Sequence, residues 1–157
     1  MISFNFSNDL FTVYLQNDSE QANTEGINII TNFFNADYGL LFYKNVRNMY
    51  KVCINKYGYP ISLSSDKWHS YLPHKMQCNK IYAIDHWSPP IIENVKAKWY
   101  CCKIQIEAEN PCYIFVGTTK KTIFDNNPAV TKAGIEMIAK IFAIKYKRDI
   151  ETKEKQD

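Results

Sequence analysis

The chain has 157 residues, of which 46% are hydrophobic and 22% charged, and a formal net charge of +3. A single domain of that length removes about 68–70% of its unfolded surface from water, which excludes both a disordered chain and a small scaffold dependent on disulfide or metal staples. The net charge is too small to mark a nucleic-acid surface, and five glycines, where about eleven would be ordinary, leave little material for loops that cradle phosphates.

The opening residues, MISFNFSNDLF, lack a basic stretch followed by an apolar one, so they do not read as a secretory signal. Leu10, Phe11, Val13, Tyr14 and Leu15 predict an N-terminal helical segment over residues 1–17. Asp18 is a candidate N-cap with Gln21 three residues on, and Ala22, Gly26, Ile29, Ile30 and Phe33 follow at helical spacing, which predicts a helix over 19–35. Tyr38 to Tyr43 form an apolar run of strand length. Residues 49–54 alternate, with Tyr50, Val52 and Ile54 on one face, so the two segments predict a hairpin that ends at Tyr57-Gly58-Tyr59-Pro60.

Residues 61–79 are irregular. Ser62, Ser64, Ser65 and Asp66 are candidate caps for a short helix carrying Trp68, Tyr71 and Leu72. Residues 80–84 predict a short strand, and 91–95 one further helical turn after Ser88-Pro89-Pro90. Residues 99–106 and 112–117 predict a second hairpin, with Tyr100, Cys102, Ile104, Ile114 and Val116 on one side and Tyr113 and Phe115 on the other. Pro128 opens the clearest element, a helix running to about Glu154. Val130, Gly134, Met137, Ile141 and Ile144 make one apolar stripe, and Ile135, Ile138, Phe142, Tyr146 and Ile150 a second. An arc that wide buries two sides of a helix. The simplest assembly is an α+β fold: an antiparallel sheet of five or six strands, with both terminal helices on one face and the irregular insert and short helices across the other.

This order of elements, and the strings INIITNFFNADYGLLFYKN, WYCCKIQIEAENPCYIFVGTTKK and FDNNPAVTKAGIEMIAKIFAIKYKRDIE, resemble the GAF domain, a sensor and dimerisation module. The resemblance covers residues 18–151, with 1–17 as an added N-terminal segment and 152–157 as a polar helix end or linker. It implies a non-catalytic sensory or regulatory domain of a bacterial signal-transduction protein. Such a domain binds a small molecule, dimerises, or does both, to control an output domain such as a diguanylate cyclase or histidine kinase. The alternatives are a stand-alone GAF enzyme of the free-methionine-sulfoxide-reductase type and a dimerisation adaptor with no ligand. The Asn-Lys…Phe…Asp-Glu signature of cyclic-nucleotide-binding members is incomplete: Asn79-Lys80 and Phe124 are present without the Asp-Glu pair. The Cys-His pair of bilin-binding members is absent.

The resemblance also places a pocket in the insert. Trp68, His69, Tyr71, Tyr82, Asp85 and Trp87 are the candidate ligand-binding residues, because aromatic walls with a few polar groups suit an organic ligand. The same aromatics could equally form a second small core beneath a long loop. Val130, Met137, Ile141 and Ile144 are the candidate homodimer surface on the terminal helix. His69, His74 and His86 show no spacing that would converge on a metal, and no catalytic set of Ser, His and Asp or of Cys and His is visible. The five cysteines are an odd number without framework spacing and read as reduced, inert thiols of a cytoplasmic protein. Lys120-Lys121 and Lys145, Lys147 and Arg148 read as solvated charge. No run reaches the 18 or so apolar residues of a membrane span. No cofactor is required, and neither nucleic acid nor membrane is an expected partner.

Overall fold

The computed structural model describes residues 4–16, 19–44, 50–56, 59–64, 77–84, 97–105, 111–119 and 128–156. Within them the chain runs α1 (Phe4–Gln16), α2 (Ser19–Phe33), β1 (Tyr38–Lys44), β2 (Tyr50–Lys56), β3 (Tyr59–Ser64), β4 (Ile81–Ile84), β5 (Lys98–Gln105), β6 (Pro111–Thr118) and α3 (Pro128–Gln156). The strands form one sheet in the order β3-β2-β1-β6-β5-β4, antiparallel at every step. This is the α+β architecture that the pattern of elements predicts, with six strands.

The sixth strand is β3. Sequence reading ends the hairpin at Tyr57–Pro60 and assigns Ser62 and Ser64 to helix caps; instead, residues 59–64 pair with β2. Pro60 is tolerated because β3 is an edge strand, where a backbone nitrogen can do without a ladder bond. The expected cap at Asp18, the connection of the first hairpin, the short helix around Trp68 and the turn at 91–95 lie outside the described residues.

All three helices contribute to a core on one face of the sheet. Phe6, Leu10 and Tyr14 of α1, Ile27 and Ile30 of α2, and Ile135, Ile138 and Phe142 of α3 bury there. They meet Leu41, Cys53, Tyr100, Cys102, Ile104, Ile114 and Val116 from the strands. Rings join the helices: Phe6 stacks on Phe33 with centroids 4.0 Å apart, and Tyr14 meets the edge of Phe142 at 5.2 Å. Gly134 lets α3 approach α2 closely, since a Cβ there would lie 2.5 Å from the Phe33 ring. The wide apolar arc of α3 is therefore largely enclosed within the chain itself.

Helix α2 sits on β1, β2 and β3 and carries the polar part of this interface. Asn55 Nδ2 of β2 donates to Asn28 Oδ1 at 3.1 Å, while on the side toward α1 Tyr14 Oη–H donates to Asn23 Oδ1 at 2.9 Å. The helix ends in a left-handed cap. Asn35 takes φ 53°, its N–H bonds the Asn32 carbonyl, and the Ala36 N–H reaches back to the Thr31 carbonyl. These two bonds are those of a Schellman motif, and Asn is one of the few side chains that accept this backbone conformation. The chain then turns directly into β1. There the Asp37 N–H bonds the Gly117 carbonyl, and Asp37 Oδ2 accepts from the Thr119 N–H at 2.7 Å and the Thr119 hydroxyl at 2.8 Å. The start of β1 is thereby clamped to the end of β6.

Candidate functional site

Side chains alternate across a sheet, so the strands that feed the helical core also build a second surface. Tyr38, Leu40 and Phe42 of β1, Val52 and Ile54 of β2, Trp99 and Cys101 of β5, and Phe115 of β6 form a separate buried apolar cluster on the face away from the helices. Ile84 and Tyr113 pack against it. The registers set its rows. Tyr38, Gly117, Trp99 and Ile84 lie side by side across four strands, and the next row holds Leu40, Phe115, Cys101 and Tyr82.

Gly117 shapes the first row. A Cβ at this position would stand 2.8 Å from three atoms of the Trp99 ring. Lacking one, β6 lets the indole lie across it toward Tyr38, with ring centroids 5.9 Å apart. Phe42 and Tyr113 make a second ring pair at 6.4 Å. Trp99 is fully buried and Tyr38 is 4% exposed. The far face thus carries a second, ring-rich apolar core, closed to solvent at Trp99, Leu40 and Phe115.

Of the six candidate ligand-binding residues, Tyr82 lies within the described structure. It is half-buried on β4, opposite Cys101 and on the far face, and its hydroxyl accepts from the Gln77 N–H at 3.4 Å. Trp68, His69, Tyr71, Asp85 and Trp87 lie outside the described residues. Sequence reasoning missed Tyr38, Trp99 and Gly117 as one row. The alternation of β5 carried the signal, but β1 is buried on both faces and its unbroken apolar run gives no face assignment.

Candidate chemistry elsewhere is sparse among the described residues. The five cysteines are free, and four of them are buried. Burial pushes the Cys102 thiol up to about 12 and raises Cys101 and Cys112 as well, with neighbouring thiols adding to each shift. Cys78 is half-buried, beside a single bridge to Lys103. No group of three or more His, Cys, Asp or Glu is placed to hold a metal ion among the described residues. No described helix is long and apolar enough to cross a membrane.

The four candidate dimer residues of α3 separate in the structure. Ile141 is buried in the chain's own core, and Met137 packs against that core. Val130 is half-buried, and Ile144 is 49% exposed.

No family model matches the chain, and no curated protein matches it. Among solved structures it is similar to the nlh2 GAF domain of Aquifex aeolicus, crystallised in an inactive state. The likeness has a TM-score of 0.51 at 10% identity and covers 89% of this chain and 94% of that one.

Proposed function

Starting from a GAF-like fold, we propose that this chain is a sensory or regulatory domain without catalysis of its own. A small organic molecule docks against the face of the sheet that the helices leave, and its presence is read out through the terminal helices. The observation that carries this reading is the row Tyr38–Gly117–Trp99, a buried aromatic cluster formed where a glycine makes room for an indole, which a ligand would have to enter. Tyr82 and Tyr113 add hydroxyls at its edge. Far-face and helix-face side chains alternate along the same strands, so a displacement of Phe115 or Leu40 is felt at once by Ile114, Val116 and Leu41. A ligand shifts this packing only as far as it prefers one arrangement over the other. The output it would control is a signalling domain of the kind GAF domains regulate.

The alternative is thiol chemistry of the free-methionine-sulfoxide-reductase type. The burial that holds Cys101, Cys102 and Cys112 protonated weighs against it, because the thiolate is the reactive form. Turnover of free methionine sulfoxide with thioredoxin, together with rapid labelling of Cys78, would favour the enzyme. The test of the sensor reading is a metabolite panel followed by thermal shift and native mass spectrometry. A true ligand at 100 times its Kd stabilises by about 2.7 kcal/mol. It also changes Trp99 emission, and a Trp99→Phe variant loses that component. A panel that gives neither shift nor bound mass would favour an adaptor filled by its own aromatics.

A further inference from the structure

Helix α1 docks by one ridge. Phe6, Leu10, Val13 and Tyr14, at three- and four-residue spacing, are its inward side chains, while Asn8, Asp9 and Phe11 on its other side are exposed. The ridge lies against helices: Phe6 stacks on Phe33 of α2, and Tyr14 meets Phe142 of α3 and donates to Asn23 of α2. Gly26 makes the seat for Tyr14, since a Cβ there would stand 2.5 Å from the phenol oxygen and 2.7 Å from a ring carbon. A helix of 13 residues has little stability by itself, so α1 owes its structure to this docking.

The C-terminal end of α1 is fastened by another element. The last four carbonyls of a helix lack partners within it, and that end carries partial negative charge. α1 has no basic residue in its own last turn. α3 supplies the cations: Arg148 Nη1 donates to the Tyr14 carbonyl oxygen at 3.0 Å, and Lys145 Nζ lies 5.9 Å from the Tyr14 ring centroid. Tyr14 thus touches α2 through its hydroxyl and α3 through its ring and its carbonyl. Glu151 stands three residues beyond Arg148 on the same helix and is exposed. A guanidinium that lets go of α1 therefore has an acceptor within one turn, which lowers the cost of letting go.

We propose that α1 is a releasable strap: it leaves and re-docks as one unit while the sheet, α2 and α3 stay folded, and the contact of Tyr14 with Arg148 is its latch. Release uncovers the seat on α2 and α3 and frees the last turns of α3 from their hold on α1. A change at α1 is therefore felt near Arg148, at the far end of the chain's longest helix. This goes beyond the ligand reading and does not require the far face of the sheet to be occupied.

Native-state hydrogen exchange on the intact chain, read amide by amide, tests the strap. The amides of Leu10 to Tyr14 are expected to share one opening that is more frequent than the opening of β1 and β6. Arg148→Ala removes a charged hydrogen bond and should speed exchange in α1 by about tenfold. It should also speed the amides of Lys145 to Glu151 and leave β1 and β6 unchanged, and Arg148→Lys should keep part of the protection. Gly26→Ala separates the strap from the body by sign. Alanine is the better helix former, so α2 should hold or gain protection, while the added methyl group pushes Tyr14 off its seat and α1 opens more often. Amides of α1 that exchange only together with those of the sheet overturn the proposal. So does a variant that speeds α1 and the sheet equally, since α1 is then part of one cooperative unit. Faster exchange in α1 with the turns around Arg148 unmoved would overturn the latch.

Discussion

Gly117 and Trp99 form the tightest single-residue relation on the far face. Adding a methyl group in Gly117→Ala drives it into the indole ring, and overpacking of this kind destabilises by about 1–3 kcal/mol. Urea denaturation should show that loss, and Gly117→Ala combined with Trp99→Leu should lose less than the two single changes together, because the clash needs both partners. The buried thiols give a pH signature. Their folded values lie above the ordinary value of about 8.5 for an unfolded chain. Their contribution to stability is therefore complete below that pH and is lost as pH rises toward the folded values, because the unfolded chain then releases protons that the native state keeps. Each thiol steepens the alkaline decline by at most about 1.4 kcal/mol per pH unit. The decline between pH 8.5 and 10.5 should be shallower in Cys102→Ala/Cys112→Ala, and an identical slope would remove these thiols as its cause. At this scale the odd number of cysteines without framework spacing pointed to free thiols, and the structure buries four of the five. The meeting of Tyr38 and Trp99 was not, because it depends on strand register across β6.

The junction between α2 and β1 shows what the elements require of one another. A left-handed Asn35 stops the helix, and two residues later Asp37 fastens the new strand to the end of β6 through Thr119. Bonds to a carboxylate are stronger than neutral ones, but this clamp is near the surface, so Asp37→Ala should cost about 1–2 kcal/mol. The midpoint in urea should fall, and the Thr119 amide should exchange faster; Asp37→Asn should retain part of both. A predicted helix over 19–35 followed by an apolar run from Tyr38 placed this junction in the sequence, but neither the left-handed Asn35 nor the bonds of Asp37 were legible there. Strand β3 was harder: Pro60 and the serines pointed to breaks and caps, and only an edge position makes that composition compatible with a strand. In α3 the periodicity located the helix and its breadth signalled two buried sides. It could not single out Ile144, which lies in the same stripe as buried Ile141, because exposure there depends on where α1 crosses.

The described residues form a sheet with two unlike buried faces, one packed against helices and one rich in rings. The architecture followed from the order of helical and alternating segments, because those periods decide which side chains share a face. The ligand-binding assignment reached less far, since five of its six residues fall outside the described structure. The strand order carries a consequence for assembly. β1, β2 and β3 form one meander of sequence neighbours and β4, β5 and β6 another, and they join only where β1 meets β6. That seam pairs Tyr38 with Gly117, far apart in the sequence, so its loop-closure entropy makes it a late and slow event. Each half then has a ready-made edge that awaits the other. Cutting the chain between β3 and β4, into residues 1–70 and 71–157, should yield fragments that melt without cooperativity alone and regain a cooperative transition when mixed; fragments that stay apart in sedimentation would show that the seam needs an unbroken chain.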